Sequence, residues 1–185
     1  MTENKENQPV PSDFKAQGTV VEKGVKVADR SSIDALNQRG YGTVEKEVLT
    51  LAFYEALFLN DKKMLSVKDK KGTEIDFQEL LHAYEAADEN AWMHYIVYRD
   101  LRSRGYVVRE GFGAAIDFRI YERGTYGKDT AASLVLSIQE GKPMPMEDLA
   151  NALVQTQSLK KELVLAVINR RGEIVYYSVS PLSFK

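Results

Sequence analysis

The sequence contains no cysteine, which excludes disulfides, thiolate metal sites and a cysteine nucleophile together. Only oxygen and nitrogen chemistry remains, and histidine occurs just twice, at His82 and His94. No apolar run approaches the ~20 residues needed to span a bilayer. The opening MTENKENQPVPS has neither the basic n-region nor the apolar h-region of a secretory signal. A cytoplasmic location is therefore expected. The chain also lacks an excess of either charge: 25 Lys and Arg against 27 Asp and Glu leave a formal net of −2. No global basic field advertises nucleic acid, so any RNA contact has to be local or supplied by a partner.

What is present is enough apolar material, 44% of 185 residues, to bury one good core or two small ones. Residues 1–12 are polar, proline-containing and aperiodic, and are expected to be a disordered tail. The pattern VVEKGVKV suggests short strands broken at Gly24, and a turn or two of helix follows across residues 31–36. In GTVEKEVLTLAFYEALFLND, Thr43 is suited to cap a long helix, with Glu45 and Glu47 near its positive end and Leu49, Ala52, Phe53, Ala56 and Leu57 on one face. MLSVKDKKGTEI reads as a hairpin around Lys70 and Gly72, and Asp76 with Glu79 forms a capping box for FQELLHAYEAA. Another helix is expected over about 88–104, stopping at Gly105. Beyond it come strand segments YVVR, AAIDFRIY and LVLSI, the helix MEDLANALVQTQ, then ELVLAVI, the turn NRRGE and IVYYSV. The GKPMP stretch is the loop feeding that last helix. The expected architecture is mixed α/β: a small N-terminal helix-and-sheet domain over 13–88 and a C-terminal α/β domain over 89–185, with helices packed on a central mixed sheet.

IDFRIYERGTYGKDTAASLVL places Tyr121 at the end of an apolar strand, before a glycine-containing loop with no histidine, cysteine or second carboxylate close by. Around it Arg102, Arg104, Arg109, Arg119, Arg123 and Lys128 outnumber Glu110, Asp117 and Glu122. Such a region is either a phosphate-facing rim or an ordinary solvated surface, and charge alone favours the second. Asp117 followed by Glu140-Gly141-Lys142 imitates a metal-dependent nuclease motif. That chemistry needs both carboxylates aimed from adjacent strands at one metal, and Glu140 falls past its strand, in a loop. No metal and no cofactor are expected.

The run VYRDLRSRGYVVREGFGAAIDFRIYERG resembles the core segment of the archaeal tRNA-intron splicing endonucleases. RGYGTVEKEVLTLAFYEALFL is similar to the family's N-terminal domain, and SLKKELVLAVINRRGEIVYYSV to its C-terminal helix, strand and hairpin. The resemblance implies a nuclease-like C-terminal domain and an activity on intron-containing RNA: cleavage at a bulge-helix-bulge, without metal, to a 2′,3′-cyclic phosphate and a 5′-hydroxyl. That reaction needs a base for the 2′-hydroxyl, an acid for the leaving 5′-oxygen and a cation beside the phosphate. The family assigns these to a tyrosine, a histidine and a lysine, which the resemblance maps to Tyr121, Thr130 and Lys161. The histidine is missing, because a threonine hydroxyl cannot be the acid near neutral pH. The arginine that helps hold a bulge base in catalytic members corresponds to Val154.

The resemblance then implies a chain without a catalytic residue of its own. It would be the structural subunit of a heteromeric enzyme, two copies joined with two catalytic chains, acting on precursor tRNA. In that role Arg119, Arg123, Lys128 and Lys160 are the expected RNA contacts. Arg170, Arg171, Tyr176 and Tyr177 are the expected subunit contacts, on an edge strand and its turn. Simple alternation would instead bury one tyrosine and expose the other. The turn reads Asn169-Arg170-Arg171-Gly172-Glu173, basic where homo-oligomeric relatives are acidic, and faces either RNA or an acidic partner. The competing readings are a catalytic homo-oligomer with an unrecognised acid such as Asp129, a metal-dependent nuclease, and an RNA-binding module with no endonuclease partner.

Overall fold

Local signals in the N-terminal half are partly overruled by long-range strand pairing. The computed structural model describes residues 14–113, 115–122, 124–127 and 130–180; the tail expected at 1–12 lies outside them. The chain divides into two compact units, Met1–Glu89 and Asn90–Lys185.

The first unit contains β1 (Ala16–Val21), β2 (Gly24–Val27), α1 (Arg30–Asn37), β3 (Thr43–Glu45), β4 (Val48–Leu51), α2 (Phe53–Asp61), β5 (Leu65–Lys68), β6 (Glu74–Ile75) and α3 (Phe77–Glu85). Its strands form one sheet in the order β3-β4-β2-β1-β5-β6. Thr43 caps no helix: it begins β3, and the long helix expected there is a hairpin followed by the shorter α2. Val44, Val48, Leu49, Thr50 and Leu51 suit a pleated surface, and the pairing of β4 with β2 leaves Leu49 and Leu51 at 0% exposure. Burial of that kind, at roughly 2 kcal/mol per large side chain, outweighs helical periodicity. The acid at the start of α2 is Glu55, which is 3% exposed. Its carboxylate accepts from Ala52 N at 2.9 Å and from Gly42 N at 3.1 Å, tying the Gly-Tyr-Gly segment to the helix start. The capping box before α3 forms as expected: Glu79 N donates to Asp76 Oδ1 and Asp76 N to Glu79 Oε2, both at 2.9 Å.

The second unit contains α4 (Ala91–Ser103), β7 (Val107–Phe112), β8 (Ile116–Tyr121), β9 (Ser133–Gln139), α5 (Met146–Ser158), β10 (Glu162–Ile168) and β11 (Ile174–Val179). Its sheet runs β11-β10-β9-β8-β7 and is mixed: β9 and β10 are parallel, the other neighbours antiparallel. α4 starts at Ala91 rather than 88, and Asn90 before it makes no side-chain cap bond; its Oδ1 instead accepts from Lys142 Nζ at 3.0 Å. The helix ends before Gly105, whose φ of 93° only glycine adopts readily. On one face of the sheet Tyr98 of α4 packs against Phe118. On the other, Ala152 of α5 joins Ile116, Leu134, Leu136 and Leu163 in a buried cluster. Gly111 is fixed by a close approach between β7 and β8, where a Cβ would lie 1.8 Å from the Ile116 carbonyl oxygen.

Candidate functional site

Strand direction brings the three residues mapped from the resemblance to one end of the C-terminal sheet. Tyr121 is the last residue of β8. Because β9 is antiparallel to β8, the segment leading into β9 lies beside it, and Ala132 N donates to Ile120 O at 2.8 Å. Thr130 is two residues before Ala132. Because β10 is parallel to β9, with Glu162 opposite Ser133, Lys161 arrives at the same end. The turn out of α5 makes this possible: Lys161 N donates to Thr156 O at 3.0 Å, and Lys160 takes a left-handed φ of 53°.

Two of the three side chains touch. Lys161 Nζ donates to Thr130 Oγ1 at 2.5 Å, so position 130 lies within hydrogen-bond reach of the lysine. Tyr121 is half-buried, and the ring of Tyr126 stands edge-on to it, with centroids 5.2 Å apart and planes at 87°. Sequence reasoning does not single out Tyr126. Its position five residues after Tyr121, between Gly124 and Gly127, is the available signal for a loop folding back. Next to Lys161, Glu162 accepts from Ser178 Oγ at 2.5 Å and Ser133 Oγ at 3.3 Å. Both carboxylate oxygens are thus engaged as acceptors, bracing β9, β10 and β11 where the site sits. Such an arrangement supplies an ammonium, a phenol and a hydroxyl. It can bind an anion and orient it, but among the described residues it has no group at the Thr130 position that titrates near neutrality.

His94 does not reach this end. His82 is on α3, in the first unit. His94 Nε2 lies 3.3 Å from Asp117 Oδ1, both side chains are mostly covered, and Asp117 Oδ2 accepts from Ser137 N at 2.6 Å. Asp117 therefore links α4, β8 and β9, while Glu140 sits exposed in the turn after β9.

Among the expected RNA contacts, Arg119 and Lys160 are described, and Arg123 and Lys128 lie outside the described residues, as does Asp129. Val154 projects from α5 at 65% exposure. Of the expected subunit contacts, Tyr176 turns inward. Its hydroxyl donates to Asp100 Oδ2 at 2.8 Å, the same oxygen accepts from Arg104 Nε at 2.7 Å, and the Arg104 guanidinium lies 5.3 Å from the Tyr176 ring centroid. Burial, then the hydrogen bond to Asp100, pushes the Tyr176 phenol well above the ordinary tyrosine range. Tyr177 alternates outward at 53% exposure. In the β10–β11 turn, Asn169 Oδ1 accepts from the N–H groups of Arg171 and Glu173 at 2.9 and 3.0 Å, and Asn169 Nδ2 donates to Glu173. The only acid of the turn is thereby occupied, and Arg170 and Arg171 are left exposed.

Comparison with known proteins accounts for both units. Residues 16–81 match the family model described as tRNA intron endonuclease, N-terminal domain, and residues 91–176 the model described as tRNA intron endonuclease, catalytic C-terminal domain. The chain is similar to the tRNA-splicing endonuclease of Methanococcus vannielii, 34% identical over 158 residues, covering 85% of this chain and 89% of that protein. It is also similar to the tRNA-splicing endonuclease of Pyrococcus horikoshii, 31% identical over 148 residues, covering 80% and 85%. A longer relative, the tRNA-splicing endonuclease of Methanococcoides burtonii, is 30% identical over 161 residues, which span 86% of this chain but 45% of that one. With both domain models matched in order and relatives aligned along most of its length, the chain belongs to the tRNA-intron endonuclease family.

Proposed function

We propose that this chain is the structural subunit of a heteromeric tRNA-splicing endonuclease, assembling two plus two with a catalytic chain that cuts precursor tRNA at bulge-helix-bulge sites. The observation that carries the reading is the Lys161–Thr130 hydrogen bond. Position 130 has the right neighbour for a group that would protonate a leaving alkoxide, and it holds a hydroxyl that cannot do so near pH 7. Losing a general acid costs about 10²–10⁴-fold in rate, which disfavours a stand-alone enzyme. The exposed Val154, where the resemblance implies an arginine, points the same way. The two lengths of relative, one spanned almost whole and one spanned by less than half, suit a unit that works as one of several in an assembly.

A catalytic homo-oligomer is the second reading, favoured by relatives of similar length that carry the endonuclease name. It requires another acid. Glu162 accepts hydrogen bonds on both oxygens and His94 is held by Asp117, so neither described group fills the role.

The discriminating experiment is Tyr121→Phe in the assembled enzyme. If this chain's site is silent, the cleavage rate stays nearly unchanged. A fall of about 10²-fold or more, the scale on which a working base contributes, would mean that Tyr121 acts in catalysis.

A further inference from the structure

The β10–β11 turn presents two arginines on a frame that is already complete. Ile168 and Ile174 are paired across the hairpin, and the residues between them bond to one another. Asn169 N donates to Glu173 O and Gly172 N to Asn169 O, both at 3.0 Å, while Asn169 Oδ1 accepts from the N–H groups of Arg171 and Glu173. Gly172 takes a φ of 79°, a left-handed conformation that suits glycine. The one acid of the turn, Glu173, accepts from Asn169 Nδ2 at 2.6 Å, so it is turned toward an amide and not toward a guanidinium. Arg170 and Arg171 are both exposed, and neither forms an ion pair among the described residues.

The adjoining turn, after β9, does not supply the missing charge. Arg170 reaches over it, so that a Cβ on Gly141 would lie 3.9 Å from Arg170 Nη2. Glu140 in that turn is exposed and pairs with neither arginine. Lys142 adds a further positive charge while donating to Asn90 Oδ1 at 3.0 Å. Lys161 precedes β10, whereas Arg170 and Arg171 follow it. β10 is 7 residues long and a strand rises about 3.3 Å per residue, so the two arginines stand on the order of 20 Å from the end of the sheet that gathers Tyr121, Thr130 and Lys161.

Exposed guanidiniums bind phosphate and carboxylate oxygens alike, in a bidentate manner. The composition of the turn separates the two. Protein interfaces place aromatic and apolar anchors at a core depleted of charge, and Asn169-Arg170-Arg171-Gly172-Glu173 has no such side chain. The exposed Val175 and Tyr177 lie back along β11, outside the turn. A phosphodiester backbone needs only fixed positive charge in solvent, and it gives up counterions on meeting it. With an overall net charge of −2, attraction of a polyanion has to come from such a local arrangement.

We propose that the β10–β11 turn is an RNA contact, with Arg170 and Arg171 holding backbone phosphates at the end of the sheet remote from Tyr121. The identity of the polyanion rests on the functional reading above, and its location rests on the locked turn and its two exposed arginines.

The test uses the purified full chain and a bulge-helix-bulge RNA made uncleavable by 2′-deoxy substitution at the cut sites, with affinity measured across a salt series that begins at low salt. Neutralising one phosphate-binding arginine should make the slope of log K against log salt shallower by about one. The Arg170→Gln/Arg171→Gln variant leaves the backbone bonds of the turn in place, and it is expected to melt with the parent and to show a slope shallower by about two. Arg170→Lys/Arg171→Lys, which keeps both charges, should hold the parent slope. Lys70→Gln/Lys71→Gln removes the same charge from the exposed turn between β5 and β6 and should hold it too. An unchanged slope in the Arg170→Gln/Arg171→Gln variant overturns the proposal. An equal fall in the Lys70→Gln/Lys71→Gln variant, the mark of general charge attraction, also overturns it, as does a parent with no measurable affinity at low salt. If the Arg170→Gln/Arg171→Gln variant does not fold, Arg171→Gln alone should make the slope shallower by about one, and no change there overturns the proposal. An unchanged slope together with lost association to a histidine-containing family member overturns it as well, and would make the turn a protein-docking surface. Should the slope fall as expected while the chain by itself cuts the unmodified RNA in EDTA, the RNA contact stands and the structural-subunit reading fails.

Discussion

At the residue scale, the chemistry turns on what one side chain can give up. Thr130 accepts a hydrogen bond from Lys161 and keeps its own proton throughout the neutral range, where a histidine would exchange one. A tyrosine on the far strand shows the same dependence on surroundings. Tyr176 has a raised pKa, first because it is buried and then because it donates to Asp100. A phenol whose folded pKa exceeds its unfolded value of 10.0 contributes stability that is fully present below that pH and is lost as pH rises toward the raised value. Tyr176→Phe should therefore cost about 1 kcal/mol at neutral pH and make stability less steeply dependent on pH above the ordinary tyrosine range. Urea unfolding at pH 7 and in alkali checks both, and an equal loss at the two pH values would contradict the assignment. The inward turn of one tyrosine and outward turn of the other could be read from alternation alone, but which of the two turned inward could not, because the Asp100 partner of Tyr176 is 76 residues away.

At the element scale, legibility followed the range of the interaction. The capping box at Asp76 and Glu79, the stop at Gly105 and the loop before α5 rest on neighbours a few residues apart, and each forms as the sequence suggests. The segment after Gly42 does not. Its helical face is real as a pattern, but β4 gains more by pairing with β2, a strand more than twenty residues earlier in the chain. The β3–β4 connection carries a trace of that outcome. Lys46 and Glu47 adopt φ of 48° and 63°, the left-handed conformations of a two-residue hairpin turn that favours Asn-Gly. Neither residue is suited to it, and such positions cost on the order of 1 kcal/mol each. Glu47 also pairs with Arg30 at 3.1 Å, but both side chains are largely exposed, and pairs of that kind contribute little. Lys46→Asn/Glu47→Gly should stabilise the chain by about 1 kcal/mol, read as a higher midpoint in denaturant. A lower midpoint would show that the turn is not strained.

At the scale of the whole molecule, the site is an outcome of topology. Tyr121, Thr130 and Lys161 are far apart in the sequence, and they meet because β8 runs against β9 while β9 and β10 run together. Their convergence was legible only through the family resemblance. The Lys161–Thr130 bond, the Tyr126 ring against Tyr121 and the Glu162 brace depend on strand starts being side by side, which no local pattern encodes. The central claim is that this assembled end of the sheet is silent and works through a partner. The most direct measurement is cleavage of a bulge-helix-bulge RNA in EDTA by the purified chain, first alone and then mixed with a histidine-containing family member from the same cell. The account predicts no cutting by the chain alone and cutting in the mixture above that of the catalytic member by itself. Cutting by the chain alone, with contaminating nuclease excluded, would contradict it and identify this chain as a catalytic subunit.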